Sequence, residues 1–320
     1  MKNLLSFSIA IILSACLLCS CAEKQENTKT DSTKVSVVTT IFPYYDFVRS
    51  IASDSADIKL LLSPGCEPHS YDPSPSDIVA IENCDIFIYN GGESDEWVET
   101  VLSSVQNKDM KIIRMMDCVD LLHEQSADHN HDHDSEHAHE HEQREEYDEH
   151  IWTSVKNAKR LTKSVCTQLC AVDSKNENKY KENCNTYLSE LDKLDSRFKD
   201  IVKSKKQDTV VFGDRFPFLY FVNDYALNYE CAFPGCSSET EPSISTVTHM
   251  IDFVREHDIP VVFYLEFSNG KVAQLIAEDT NAKMLRFSSC HNVTKEEFES
   301  GVTYISLMEQ NAQALEEALS

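Results

Sequence analysis

The sequence predicts an α/β protein of two lobes, each a mostly parallel sheet flanked by helices, joined by one long helix. Three observations predict it. Short apolar runs alternate with amphipathic segments over residues 34–115, and the alternation restarts at residue 209. Between these stretches one uninterrupted helical period runs from about Lys179 to Lys203. The chain has 320 residues, 41% of them hydrophobic, which suits two cores at about 150 residues per domain.

The elements follow in order. Lys34 to Ile41 (KVSVVTTI) reads as a buried strand, and Pro43 opens a helix whose apolar side runs through Val48 and Ile51. Asp57 to Leu62 is a second strand, ended by the turn Ser63-Pro64-Gly65. Ser76 to Glu82 is helical, Asp85 to Asn90 a third strand, Ser94 to Val105 an amphipathic helix and Lys111 to Met115 a fourth strand. Thr153 to Val172 forms a helix, broken by the polar Asp173 to Asn178. The long helix places Tyr180, Cys184, Tyr187, Leu191, Leu194 and Phe198 three and four residues apart, and at about 1.5 Å per residue it can span a domain. Strands follow at Thr209 to Phe212, Tyr229 to Phe233, Pro260 to Glu266 and Lys283 to Phe287, and Glu296 to Leu319 closes the chain as a helix. The expected domains are an N-terminal lobe over 34–178, a linking helix over 179–205 and a C-terminal lobe over 206–320.

Ahead of the first lobe, Met1-Lys2-Asn3 is a short positive start and Leu4 to Leu18 an apolar run too short for an ordinary membrane span. The run ends in Leu18-Cys19-Ser20-Cys21, which resembles a bacterial lipobox, with residues 1–20 as signal peptide and 21–33 as a flexible tether. Cys16 also fits the pattern. Cys21 is preferred as the lipidated residue, because cleavage before Cys16 would leave apolar residues just after the anchor. The alternative is an ordinary secretory signal. Either way the mature chain is exported, anchored on the extracytoplasmic face of the cell membrane if lipidated.

Ligands of parallel sheets collect beyond the carboxyl ends of the strands. His69 falls there after the second strand, and the stretch DHNHDHDSEHAHEHEQREEYDEH, residues 128–150, after the fourth. That stretch holds seven histidines and ten carboxylates against one arginine, and it has no hydrophobic period before His150. Imidazole suits zinc and its borderline neighbours. The loop over 128–149 reads as a metal collector through His129, His131, His133, His137, His139 and His141, and it leads to a fixed ligand, His150. The bland reading, a solvated acidic loop, does not call for alternating histidines. A net charge of −25 argues against nucleic acid and for cations as partners.

Three of the 12 cysteines lie in the export segment, leaving an odd number in the mature chain. Export permits disulfides. In a helical hairpin Cys166 or Cys170 could reach Cys184. Beyond the export segment no CxxC pair marks a zinc ribbon.

Several segments together resemble the zinc- and manganese-binding solute-binding lipoproteins of bacterial ABC importers. They are VVTTIFPYYDFVRSIA, LLLSPGCEPHSYDPSPSDI, CDIFIYNGGESDEWVETVL, DEHIWTSVKNAK, YKENCNTYLSELDKLD and ETEPS, together with the histidine-rich loop. The resemblance covers about Lys34 to Ser320. It implies a rigid linking helix, a metal site in the cleft between the lobes, delivery of the ion to a membrane permease, and no catalysis. It makes ligands of His69, in the PHxYxPSP-like motif, and of His150, before the W-x-x-x-x-N-A-K-like run. The family's third ligand, a histidine in a segment like VFHDAF, is Gly213 in VVFGDRFPF and is therefore absent. The family's late acidic ligand falls in FSSCHNVT, which offers His291.

Beside the resemblance, His123, His249 and His257 read as structural or exposed. Glu239 can turn into the cleft, whereas Glu241 suits a charge at the N-terminus of the following helix. Asp214 and Glu266 fall at strand ends, as acceptors that could orient imidazoles. Cys236 and Cys290 follow candidate strands and read as a disulfide in preference to ligands. Cys66 carries no assigned role. The expected metal set is His69, His150, His291 and Glu239 or water.

The leading functional reading is a monomeric zinc receptor. Nitrogen ligands favour Zn²⁺, and Mn²⁺, which goes with oxygen-rich shells, is the alternative cargo. A zinc hydrolase is the alternative from another class, since three protein ligands with an open position also suit catalysis. No HExxH pair supports it. A surface metal buffer or adhesin is a third reading.

Overall fold

A computed structural model describes residues 34–124, 147–235 and 242–320. In the first lobe, strands β1 (Val35–Thr39), β2 (Ala56–Leu60), β3 (Ile86–Tyr89) and β4 (Lys111–Arg114) form a parallel sheet in the order β2-β1-β3-β4. The central strands β1 and β3 have the largely apolar, buried sequences of strands covered on both faces, whereas the edge strand β4 is mostly exposed. The helices between them are α1 (Phe42–Ala52), α2 (Pro75–Glu82) and α3 (Trp97–Ser104). Helix α2 starts where the sequence supplies a Ser74–Asp77 capping box and a proline in the first turn, which lacks only an N–H that would be unpaired anyway.

The second lobe repeats the plan. Its strands β5 (Thr209–Phe216), β6 (Asn228–Pro234), β7 (Val261–Tyr264) and β8 (Lys283–Arg286) run parallel in the order β6-β5-β7-β8. In both sheets the chain order reverses around one central strand, so crevices open at the carboxyl ends beside β1 and β5. Helix α4 (Val155–Val172) and the long α5 (Glu177–Lys203) form a hairpin, and α6 (Leu219–Tyr225), α7 (Ile244–Glu256) and α8 (Lys271–Thr280) serve the second sheet. The closing helix expected over 296–319 is two helices, α9 (Lys295–Glu299) and α10 (Tyr304–Ala318). Gly301, at φ +78°, makes the corner, and a Thr303–Ser306 capping box restarts the helix. Strand β5 is longer than expected, with an irregular register against β6 between Phe212 and Arg215.

Helix α5 packs on α1, α4 and α10. Its buried Tyr180, Tyr187, Leu191, Leu194 and Phe198 belong to one apolar cluster that also takes Ile51 and Trp152 from the first lobe and Phe263 and Leu307 from the second. The helix is therefore the spine of a shared core. Smaller apolar clusters cover the outer faces, around Phe87 and Val98 in one lobe and Val262 and Met250 in the other.

Polar ties also cross between the lobes. Buried Asp46 accepts from the Tyr304 amide (2.8 Å), the Tyr187 hydroxyl (3.2 Å) and Arg49. Gly65 N–H donates to Val293 O at 2.8 Å, and Asn292 Nδ2 donates to Ser63 O and Cys66 O at 2.9 Å each.

All eight cysteines of the described residues are free thiols. Of the expected Cys236–Cys290 pair, Cys290 is a free thiol buried in the shared core, its Sγ 3.8 Å from Ser288 O, and Cys236 lies outside the described residues. Cys166, rather than Cys170, faces Cys184, with its Sγ 3.7 Å from Tyr180 O one turn earlier on α5.

Candidate metal centre

Three loops at strand ends bring three imidazoles together. His69 sits in the short turn Pro68–Ser70 after β2, His150 opens the turn Ile151–Thr153 beyond β4, and His291 follows β8. One nitrogen from each lies within 4.8 Å of the other two. The ring centroids are 5.3–6.0 Å apart and the rings steeply inclined to one another. Nitrogens on a tetrahedral zinc stand about 3.3 Å apart at Zn–N bonds of about 2.0–2.1 Å, so small ring movements suffice to converge on one ion. His150 and His291 are buried, at 2% and 6% exposure, whereas His69 is the exposed member, its side chain 27% accessible.

The two first-lobe rings are held at Nδ1. Asp148 Oδ1 lies 3.2 Å from His150 Nδ1 and also accepts the His150 backbone N–H at 2.8 Å. Ser94 Oγ lies 2.9 Å from His69 Nδ1. Glu149 in turn holds Ser94, taking its backbone N–H at 3.0 Å on Oε2 and its hydroxyl on Oε1. Gly92 leaves the space for this carboxylate, since a Cβ there would stand 2.6 Å from Glu149 Oε2.

The second lobe holds His291 differently. Glu266, just after β7, takes the Ser289 N–H at 2.8 Å and its hydroxyl at 2.6 Å, and Ser289 Oγ accepts the His291 N–H at 3.2 Å. The His291 ring packs against Trp152, 4.6 Å between centroids, and Trp152 Nε1 donates to Ser289 O at 2.8 Å. His291 O accepts from Phe42 N in the first lobe at 3.3 Å. Among the described residues no hydrogen bond fixes the ring itself.

Burial makes His69 and His291 poor bases. It lowers His69 to about 4, helped by the neighbouring His150 and opposed by Glu149, and it holds His291 well below 6.5, with His69 and His150 adding to the effect. Neutral rings are the metal-binding form. A cavity of about 310 Å³ opens beside them, bounded also by Glu67, Arg215 and Glu266.

Asp214 lines the same cavity but spends its oxygens on the Arg215 and Leu265 amides, at 2.9 and 3.2 Å. Neither it nor Glu266 touches an imidazole in the way expected; Glu266 acts on the backbone ahead of His291. Gly213 is blocked by helix α8: a Cβ would lie 2.5 Å from Ala273 Cα. The orienting pair Ser94 and Glu149 escaped the sequence reading, although the consecutive acids before His150 were the available signal. His123 and Tyr147 form an antiparallel bridge that brings the ends of the histidine-rich loop together. The loop residues His129 to His141, together with Glu239, Glu241 and Cys21, lie outside the described residues.

Residues 37–318 match the family described as zinc-uptake complex component A, periplasmic (ZnuA). The chain belongs to this family. It is 30% identical over 312 residues to the high-affinity zinc uptake system protein ZnuA of Bacillus subtilis, covering 96% of each chain. It is 29% identical over 308 residues to the zinc-binding lipoprotein AdcA of Streptococcus pneumoniae, of which it spans 59%. The Zn(II)-bound ZnuA-like domain of that AdcA superposes with a TM-score of 0.73 at 26% identity, over 89% of this chain and 99% of the domain. The metal-dependent lipoprotein YcdH of Bacillus subtilis gives 0.75 at 27% identity, over 90% of this chain and all of the other. ZnuA-family proteins are solute-binding receptors that work with an ABC permease.

Proposed function

We propose that the chain is an extracytoplasmic receptor that captures Zn²⁺ in the cleft and delivers it to an ABC permease. The observation that carries this reading is the convergence of three imidazoles, His69, His150 and His291, from both lobes. Each supplies one bond, and Glu239 or water completes a tetrahedral shell. An all-nitrogen protein set favours zinc over manganese, which stays as the alternative cargo. Against a hydrolase, the nearby carboxylates Glu149 and Glu266 each clasp a serine through both oxygens, so neither is poised to activate a water. The histidines between His129 and His141 collect zinc outside the cleft. Lipidated Cys21 tethers the chain, as a monomer, to the membrane where the permease sits.

Competition titration with a chromophoric chelator tests this reading. One tight zinc site is expected, with manganese bound more weakly and with His69→Ala and His150→Ala each weakening zinc by at least about tenfold, since each removes a direct bond. Unchanged affinity in both variants would sink the assignment.

A further inference from the structure

We propose that Ser94 and Glu149 are positioning residues that fix the tautomer and direction of His69, so that cleft affinity depends on a pair that never touches the ion. This rests on the receptor reading above.

The proton count at Ser94 carries the inference. A serine hydroxyl has one proton, and a carboxylate only accepts. Glu149 takes the Ser94 hydroxyl proton on Oε1 and the Ser94 backbone N–H on Oε2. The Ser94 oxygen therefore has only a lone pair to offer His69 Nδ1, 2.9 Å away, and Nδ1 must carry the imidazole proton. Nε2 is left bare, which is the atom a metal needs. His69 needs such an anchor most, because it is the exposed member of the three and rides on a turn flanked by proline-rich chain.

Glu149 also links the two first-lobe rings. It directly precedes His150, and its carbonyl accepts from Asn90 Nδ2 at 2.9 Å. The direction of His69 is thus referred to the same backbone that carries His150. Glu149→Gln makes the point sharply. With its amide oxygen on the Ser94 N–H, its amide nitrogen faces the hydroxyl as a donor. The hydroxyl proton then turns to His69 Nδ1 and pushes the ring proton to Nε2, where it blocks the metal.

The test has two arms on the full mature chain. Nitrogen-15 NMR of the zinc-free protein should show His69 as the Nδ1–H tautomer, and Glu149→Gln should convert it to Nε2–H. In zinc titrations Ser94→Ala and Glu149→Gln should each weaken binding by about 10–100-fold, the range for partners of metal-bound histidines, and Ser94→Thr, which keeps the hydroxyl, should restore it. In a His69→Ala background Ser94→Ala should cost nothing further. An Nε2–H tautomer in the unaltered protein would overturn the proposal, as would an undiminished Ser94→Ala penalty without His69. If His69→Ala itself leaves zinc binding intact, the receptor reading fails instead; the tautomer measurement separates the two. A Ser94→Ala chain that does not fold leaves the Glu149→Gln and unaltered-protein spectra to decide.

Discussion

The two lobes use the same clasp to opposite ends. In each, a buried carboxylate holds a serine by its N–H and its hydroxyl: Glu149 with Ser94 in the first lobe, Glu266 with Ser289 in the second. In the first lobe the clasped serine reaches the imidazole ring of His69. In the second it reaches only the backbone N–H of His291, whose ring is set by packing on Trp152. His69 lies at the solvent edge and has a directional bond, whereas the buried His291 ring is aimed by its packing. Burial alone does not decide this, since the equally buried His150 ring has Asp148 at its Nδ1. The His291 loop also bonds to first-lobe backbone through Phe42, and its neighbours Asn292 and Val293 bond to Ser63, Cys66 and Gly65. His291, the proposed third ligand, is thus docked on the first lobe through protein contacts alone.

The largest effect expected from this contrast is that of His291→Ala. It removes a direct bond from a site with three nitrogens, so zinc should weaken by more than about 100-fold, beyond the range for indirect partners. The zinc-dependent rise in stability should fall by about 2.7 kcal/mol at a fixed excess of zinc. The lobes should stay docked, because Asn292 and Val293 keep their bonds. Calorimetric melting with and without zinc checks both parts; loss of cooperative unfolding in the zinc-free variant would break the comparison.

Gly213→Ala should come next, acting on stability and not on metal. The added Cβ would stand 2.5 Å from Ala273 Cα and 2.6 Å from its nitrogen, both backbone atoms. Overpacking of this kind costs about 1–3 kcal/mol, readable in urea denaturation, while zinc affinity should change less than about threefold. The position where the family resemblance implied a histidine is closed here by helix α8, so a histidine at 213 cannot replace His291.

The smallest effect on the cleft is that of acid. A solvated histidine protonates near 6.5, but His69 stays neutral down to about 4 and His291 is also held well below 6.5, chiefly by burial. The neutral ring binds metal, so lowering the pH from 7 to 5.5 should strip zinc from the loop histidines while the cleft keeps its ion. Calorimetric stoichiometry should fall to one. A cleft site lost together with the loop sites would show that its rings are not shielded as the structure describes.

Much of this was legible in the sequence for identifiable reasons. Apolar runs such as KVSVVTTI and the three-and-four spacing from Tyr180 to Phe198 report burial directly, so both sheets and the spine emerged. His69, His150 and His291 stand after strands, where parallel sheets place their ligands. What stayed hidden depends on distance between remote residues. Nothing near Gly213 in the sequence reveals Ala273, and nothing near Ser94 reveals Glu149, 55 residues on. That Cys290 lies in the shared core was likewise not visible from its place after a strand. The corner at Gly301 was lost inside a long helical period, since a glycine alone does not say whether a helix ends.

Crystals grown with zinc and measured at the zinc absorption edge test the central claim most directly. The account predicts one strong anomalous peak in the cleft, about 2.0–2.1 Å from Nε2 of His69, from Nε2 of His150 and from a ring nitrogen of His291. An ion bound with His291 more than about 4 Å away, well outside any Zn–N bond, would contradict it.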